Sequence, residues 1–389
     1  MSAWPTVALV DVLEGHQVSY GIVQPGNDFS AGVPIVRVKD VRNGLIDTRT
    51  PMKVHPSISQ NHSRTVLRGG ELLMTLVGTV GEVAVAPPSL AGWNVARAIA
   101  VIRSDSVSSA WLKLCIESPV AKAQVGALLN TTVQWTLNLS DLKTIQIAMP
   151  PHRDRVAIAE VLGALDDKIA ANTKLAKAAD ALVRARFDGL RAEATMLIGE
   201  LFELRREPAD PARMEAHTAY VGLEHVPRKS MWLDDAGTSA TVTSGKSYFE
   251  PGDVLFGKLR PYFHKVVTVA IGGICSTDIL VLRSKKDSFS GFGLAAVSSE
   301  AVVNAVTAAS EGTRMPRTSW NDLAAVEVTW PGEAVAREFS VAVRALEQTV
   351  QSLLRENRTL AATRDALLPQ LMSGKLRVRD AEKSLAGVL

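Results

Sequence analysis

Lys258, Arg260, His264 and Lys265 fall within eight residues, interleaved with Leu259, Pro261, Tyr262 and Phe263. Arg and Lys donate to phosphates and to guanine edges, and aromatic rings press on or stack against bases. The mixture suits a loop at a strand end that faces a nucleic-acid groove. Solvated cations at an ordinary strand end are the competing explanation. Two further segments carry similar chemistry: Asn130-Thr131-Thr132-Val133-Gln134-Trp135 and Glu311-Gly312-Thr313-Arg314-Met315-Pro316-Arg317. Gln134, Arg314 and Arg317 suit base edges, and Thr131, Thr132 and Thr313 suit phosphates, although domain-closing turns would look the same. Arg64 and Arg68, flanking the turn before Gly70, complete the candidates.

Other motifs offer less. Ala240 to Ser247 resembles a relaxed phosphate-binding loop, but Asp234-Asp235-Ala236-Gly237 precedes it and a strand-like Tyr248-Phe249 follows, where a phosphate cradle needs a buried strand and then a helix. Asp166-Asp167-Lys168 imitates a nuclease triplet, yet it sits on a heptad-patterned helix whose solvated face explains it. The 7 histidines show no metal-ligand spacing. No Asn-Pro-Pro-aromatic motif of an amino-methyltransferase occurs. No convincing nucleophile or acid–base pair emerges, so catalysis is not expected of this chain.

The elements that position the candidate loops occur twice. Asp141-Leu142, Pro150, Ala164-Leu165 and Ile169 return as Asp322-Leu323, Pro331, Ala345-Leu346 and Val350, each 181 residues on. Such a duplication places two similar surfaces on one chain, related by a pseudo-two-fold, and suits a target recognised in two halves. Each copy begins as a strand-and-turn-rich block. In the first, Pro34 to Val38, Glu71 to Val77 and Val95 to Ile102 read as strands, and Ser109 to Leu129 holds a helix. Each block then runs into a long helix. Ile158, Leu162, Leu165, Ile169, Ala176, Ala179 and Val183 recur at steps of three and four, with Asn172 the polar interruption. Val343, Leu346, Val350, Leu353, Leu360 and Leu367 repeat the pattern, with Asn357 in the seam. Neither helix can bury such a seam alone. The expected fold is mixed α/β: two globular domains, residues 1–151 and 194–331, separated by long helices in 152–193 and 332–389 that pack as an antiparallel coiled coil. Docking of each helix on its own block is the alternative. Asn172 matches Asn357 at an offset of 185 rather than 181, about one helical turn of slip.

Composition sets the limits. The 389 residues suffice for two domains, and 47% hydrophobic with 21% charged residues describes a folded protein. A net charge of +3 is only weakly basic, so nucleic-acid binding must rest on local patches or on partners. Cys115 and Cys275 are the only cysteines and form no metal or redox pair, which suits a reducing compartment. No signal-peptide pattern and no apolar run of membrane-spanning length is present, so a soluble cytoplasmic protein without membrane contact is expected.

The chain resembles the specificity subunit of a type I restriction–modification system. The resemblance rests on Gly32 to Val41, Gly70-Glu71-Leu72-Leu73-Met74, Ile145 to Pro151 and Ile158 to Ile169 in the first copy. In the second it rests on Tyr220 to Val226, Gly252 to Tyr262 and the ending Leu367 to Leu376. Where the first copy reads Met149-Pro150-Pro151-His152 the second has Trp330-Pro331-Gly332-Glu333, so its helix is expected to start differently. The resemblance implies two target-recognition domains that read a split double-stranded DNA sequence, and a coiled coil that spaces them. It further implies no catalytic centre here, two adenine methyltransferase subunits that use S-adenosylmethionine, and translocating restriction subunits as partners. A related system with a fused methyltransferase–nuclease partner, or a protein-only coiled-coil adaptor, is the alternative. A helix from His152 to Asp188 would be ~55 Å long, against the ~34–36 Å separating same-face half-sites on B-DNA.

Overall fold

A computed structural model describes residues 4–131, 135–210, 214–310 and 315–385. Contacts divide the chain into two compact units, 1–169 with 359–389 and 170–358. Each takes one strand-rich block and part of each long helix.

The first unit is built on a four-stranded antiparallel sheet in the order Ser19–Tyr20, Ile99–Ile102, Leu72–Thr75, Val83–Val85. Every residue of the central strands Leu72–Thr75 and Ile99–Ile102 is buried, as continuous apolar runs covered on both faces should be. Val33–Val36 pairs antiparallel with Met52–Val54 and parallel with Asn94–Val95 in a second, smaller sheet. The stretch from Val95 to Ile102 is therefore two strands. A turn separates them, held by Ile99 N–H donating to the Ala96 carbonyl (3.0 Å) and Arg97 N–H to that of Ile22 (2.8 Å). The helix expected between Ser109 and Leu129 is likewise two, Ser109–Glu117 and Pro119–Leu128. Pro119 cannot continue the first, and Ser118 before it is extended (φ −62°, ψ 148°) and caps the second through Ala121 N–H.

The second unit repeats the plan. Its four-stranded sheet runs Phe202–Arg205, Ile279–Ser284, Val254–Gly257, Val266–Thr268. The register is duplicated as well as the order: Leu72 faces Ile102 and Thr75 faces Ile99, while Val254 faces Leu282 and Gly257 faces Ile279. Thr6–Ala8 pairs with Gln146–Ala148 in the first unit, and Ala194–Leu197 with Glu327–Trp330 in the second. The repeated Asp-Leu acquires a physical role. Leu142 and Leu323 are fully buried, while Asp322 closes a capping box with Ser319 on the short helix Trp320–Ala324.

The two long helices span His152–Asp188 and Glu333–Met372. Both begin at the same place in the repeat, so the departure before the second helix leaves its start in register. The difference lies in the approach: Gly332 has φ +85°, and a β-carbon there would meet the Glu193 carboxylate at 2.3 Å. Along the first helix Asp166 meets Arg364 (2.9 Å) and Asn172 meets Asn357 (3.0 Å), so the helices run antiparallel. The seam residues also join the block cores. Ile158, Leu162, Leu165, Leu360 and Leu367 share a cluster with Trp111 and Ile147, and Ala176, Val183, Val343 and Val350 share one with Phe202 and Phe292. Pairing and docking, framed as alternatives, are both realised.

Among the described residues no single helix is long and apolar enough to cross a membrane.

Candidate nucleic-acid interface

In the second unit, strand Val254–Gly257 leaves the sheet at Lys258 and immediately pairs with the segment before the Asp-Leu helix. Leu259 forms an antiparallel bridge with Arg317, Arg260 N–H donates to the Pro316 carbonyl (2.8 Å) and Thr318 N–H to that of Lys258 (3.0 Å). Lys258–Arg260 and Pro316–Thr318, more than fifty residues apart in sequence, thus become one surface. The first unit repeats this bond for bond: Val77 bridges Thr136, Gly78 N–H donates to the Trp135 carbonyl (3.0 Å) and Leu137 N–H to that of Leu76 (2.9 Å). This doubled junction is the candidate interface.

After Arg260 the chain makes a tight turn, Pro261–Phe263. Of the five non-glycine residues with positive φ among the described residues, Lys229 (+54°), Arg260 (+52°) and His264 (+52°) sit here. Such backbone costs about 1–3 kcal/mol per residue and persists where the surroundings over-determine it, often at functional sites. The anchors are visible. Pro261 is buried, the His264 ring bonds the Ser298 carbonyl (2.8 Å), and Lys229 N–H donates to the His264 carbonyl (2.8 Å). The outward side carries exposed Arg260 and Tyr262, with the Arg228 guanidinium stacked 3.9 Å from the centre of the Phe263 ring. Lys258 is half-buried, and Arg317 is exposed while pairing with Asp278 at 3.4 Å.

Two expected contacts point elsewhere. His264 is only 2% exposed, and burial pushes its pKa down, so it anchors the turn as a neutral ring instead of offering a cation to a groove. The Lys265 ammonium bonds the Leu223 carbonyl, and its pKa is lowered first by burial and then by the nearby Arg228 charge. Arg64 and Arg68 lie at the entry of strand Leu72–Thr75, whereas the junction lies at its exit, roughly 13 Å away along a four-residue strand. Arg68 pairs there with Glu14 (3.3 Å), and the Arg64 carbonyl accepts from Arg103 (2.7 Å). Thr131 lies in the strand Asn130–Thr131, in register with Trp135. Thr132, Gln134, Thr313 and Arg314 fall outside the described residues.

Arg228 and Lys229 were not among the sequence candidates. Only the basic turn Pro227-Arg228-Lys229 hinted at them, and long-range bonding to His264 brings them to the site. In the first unit exposed Arg97 adjoins the junction, because Leu76 N–H donates to the neighbouring Ala98 carbonyl (2.8 Å).

Chemistry of other kinds finds little support. Burial pushes the Cys115 and Cys275 thiols up to about 12, leaving both protonated. Among the described residues no group of His, Cys, Asp and Glu is placed to hold a metal ion. Lys246 of the loop resembling a phosphate cradle starts the strand Lys246–Phe249, with its ammonium turned back onto Ser244 (2.6 Å).

Residues 1–179 match the family model for the type I restriction modification DNA specificity domain. The EcoBI type I restriction enzyme specificity subunit of Escherichia coli is 28% identical over 150 residues, covering 38% of this chain and 31% of that protein. The EcoDI specificity subunit of the same organism is 27% identical over 144 residues, 37% of this chain and 29% of that one. These matches span about a third of each relative's length. The crystal structure of the type I restriction-modification system S subunit from M. genitalium aligns over 95% of this chain and 96% of its own, with a TM-score of 0.54 and 13% identity. That likeness shows a shared fold across nearly the whole chain.

Proposed function

We propose that the chain, whose residues 1–179 match the type I restriction modification DNA specificity domain, is the sequence-reading subunit of such a system. The observation that carries this is the doubled junction. One backbone arrangement, repeated in both units, sets an exposed aromatic ring beside a strand exit, accompanied in the second by exposed Arg260 and Arg317. Two equivalent readers on one chain suit a target with two half-sites.

In this reading residues 1–151 and 194–331 each recognise half of a split double-stranded DNA sequence. Arg228, Lys258, Arg260 and Arg317 supply contacts in the second. The helical segments 152–193 and 332–389 space the readers and hold the partners: two adenine methyltransferase subunits, then translocating restriction subunits. S-adenosylmethionine belongs to the methyltransferase, and this chain contributes no catalytic group. The weak net charge of +3 fits a reader whose affinity is shared with a larger complex. The specificity-domain match favours this over a protein-only adaptor.

The test is adenine-methylation mapping after co-expression with the cognate methyltransferase in a methylation-free host. A split motif with a fixed spacer, lost when this chain is omitted, is expected. No methylation from an assembled complex would overturn the proposal in favour of the adaptor.

A further inference from the structure

Beside the duplicated bridge each unit exposes one large aromatic ring, and the two rings come from opposite members of the bridge. Trp135 is 53% exposed and lies on the segment entering the Asp-Leu helix. Tyr262 is 49% exposed and lies on the turn leaving the central strand. The counterpart of Trp135 in the second unit is Pro316, and that of Tyr262 in the first is Val80. The scaffold is therefore duplicated while the aromatic it displays is not.

Both rings stand on firm backbone. Trp135 sits in register with Thr131, its carbonyl accepts Gly78 N–H, and nearby Leu137 is 1% exposed in the core. Tyr262 is held between buried Pro261 and buried His264, with its ring 4.8 Å from that of Phe263 in an edge-on contact. A rigid aromatic side chain with two torsions loses little entropy on contact, and its face suits a thymine methyl or the edge of a base step. Arg228 and Arg260 lie 3.9 and 5.9 Å from the centre of the Phe263 ring, which contacts Tyr262, so cations stand where phosphates would flank that ring.

We propose that Trp135 and Tyr262 are specificity-determining residues, each pressing on the bases of one half of a split DNA target. This rests on the DNA-reading function proposed above. It adds that sequence discrimination within each half depends on a ring delivered from a different member of the bridge.

The experiment is selection by the full chain, assembled with its cognate methyltransferase subunits, from a pool of random-sequence DNA duplexes, repeated with Trp135→Ala, Tyr262→Ala and the ring-keeping Trp135→Phe and Tyr262→Phe. The wild type is expected to select a two-part motif. Trp135→Ala loses about tenfold discrimination at positions in one part, and Tyr262→Ala at positions in the other. The salt dependence of binding stays unchanged, because no charge is removed. The Phe variants keep the preference. If an alanine variant melts early, Trp135→Leu or Tyr262→Leu restores bulk without a ring and is expected to show the same one-sided relaxation. Unaltered motifs in folded variants, or both parts weakening together, would overturn the inference while leaving the DNA-reading function standing. A wild type that selects no motif would remove both.

Discussion

Glu71 and Asp253 occupy equivalent places at the entry to each central strand, and both are buried, at 4% and 1% exposed. Glu71 accepts the backbone N–H groups of Arg68 (2.6 Å) and Gly69 (2.8 Å) and pairs with Arg103 (3.0 Å). Asp253 accepts Glu250 N–H (2.8 Å) and pairs with Arg283 (2.8 Å). Burial alone would raise the Glu71 pKa, but the Arg68 amide and the Arg103 guanidinium outweigh it and hold the carboxyl below the usual range. A depressed folded-state pKa stabilises the fold fully above the unfolded value of about 4.3, and the contribution is lost as pH falls through the folded value. The wild-type melting temperature should therefore fall more steeply than that of Glu71→Gln between pH 5 and the acid limit, followed by circular dichroism; parallel curves would contradict the assignment. At this scale charge is easy to read from sequence and burial is not. Arg260 was legible as an exposed cation. His264, four residues on, was misplaced because its direction is decided by bonds to Ser298 and Lys229 from distant parts of the chain.

The long helices were the most legible elements, because a seam at steps of three and four over about seven turns at 3.6 residues per turn has no other physical use. The start of the first also followed from Pro150-Pro151. Asn172 is 2% exposed, and its amide donates to Glu356 (2.7 Å) and Asn357 (3.0 Å), while the Asn357 amide donates to Thr173 (3.3 Å). A polar pair in an apolar seam specifies register at a cost in stability. Asn172→Ala should lower stability by about 1–2 kcal/mol by stranding its partners. The paired replacement Asn172→Leu with Asn357→Leu should recover or exceed the wild type. Denaturant midpoints decide it, and a leucine pair weaker than the single alanine would refute the register role. Shorter elements were less legible. The break at Ser118-Pro119 was written in the sequence yet outweighed by the Ala- and Leu-rich run around it.

For the whole molecule, the proposed spacing role makes the long helices a length standard between two half-sites. Inserting one heptad into each helix, at positions that keep both seams continuous, adds about 10 Å of helix, close to three base pairs of B-DNA rise. Methylation mapping should then return the same two half-sites with a longer spacer. An unchanged spacer in an active complex would remove the helices from that role.

The repeat, the mixed α/β class and the paired seams could all be read from residue order, because periodicity and duplication are one-dimensional properties. The doubled junction could not. It joins Leu76–Gly78 to 135–137 and Lys258–Arg260 to 316–318 across long stretches of chain, through backbone hydrogen bonds that no side-chain pattern announces. Which cations face outward was likewise left to the fold. Packing around Pro261, His264 and Phe263 is what turns His264 inward and leaves Arg260 and Tyr262 exposed.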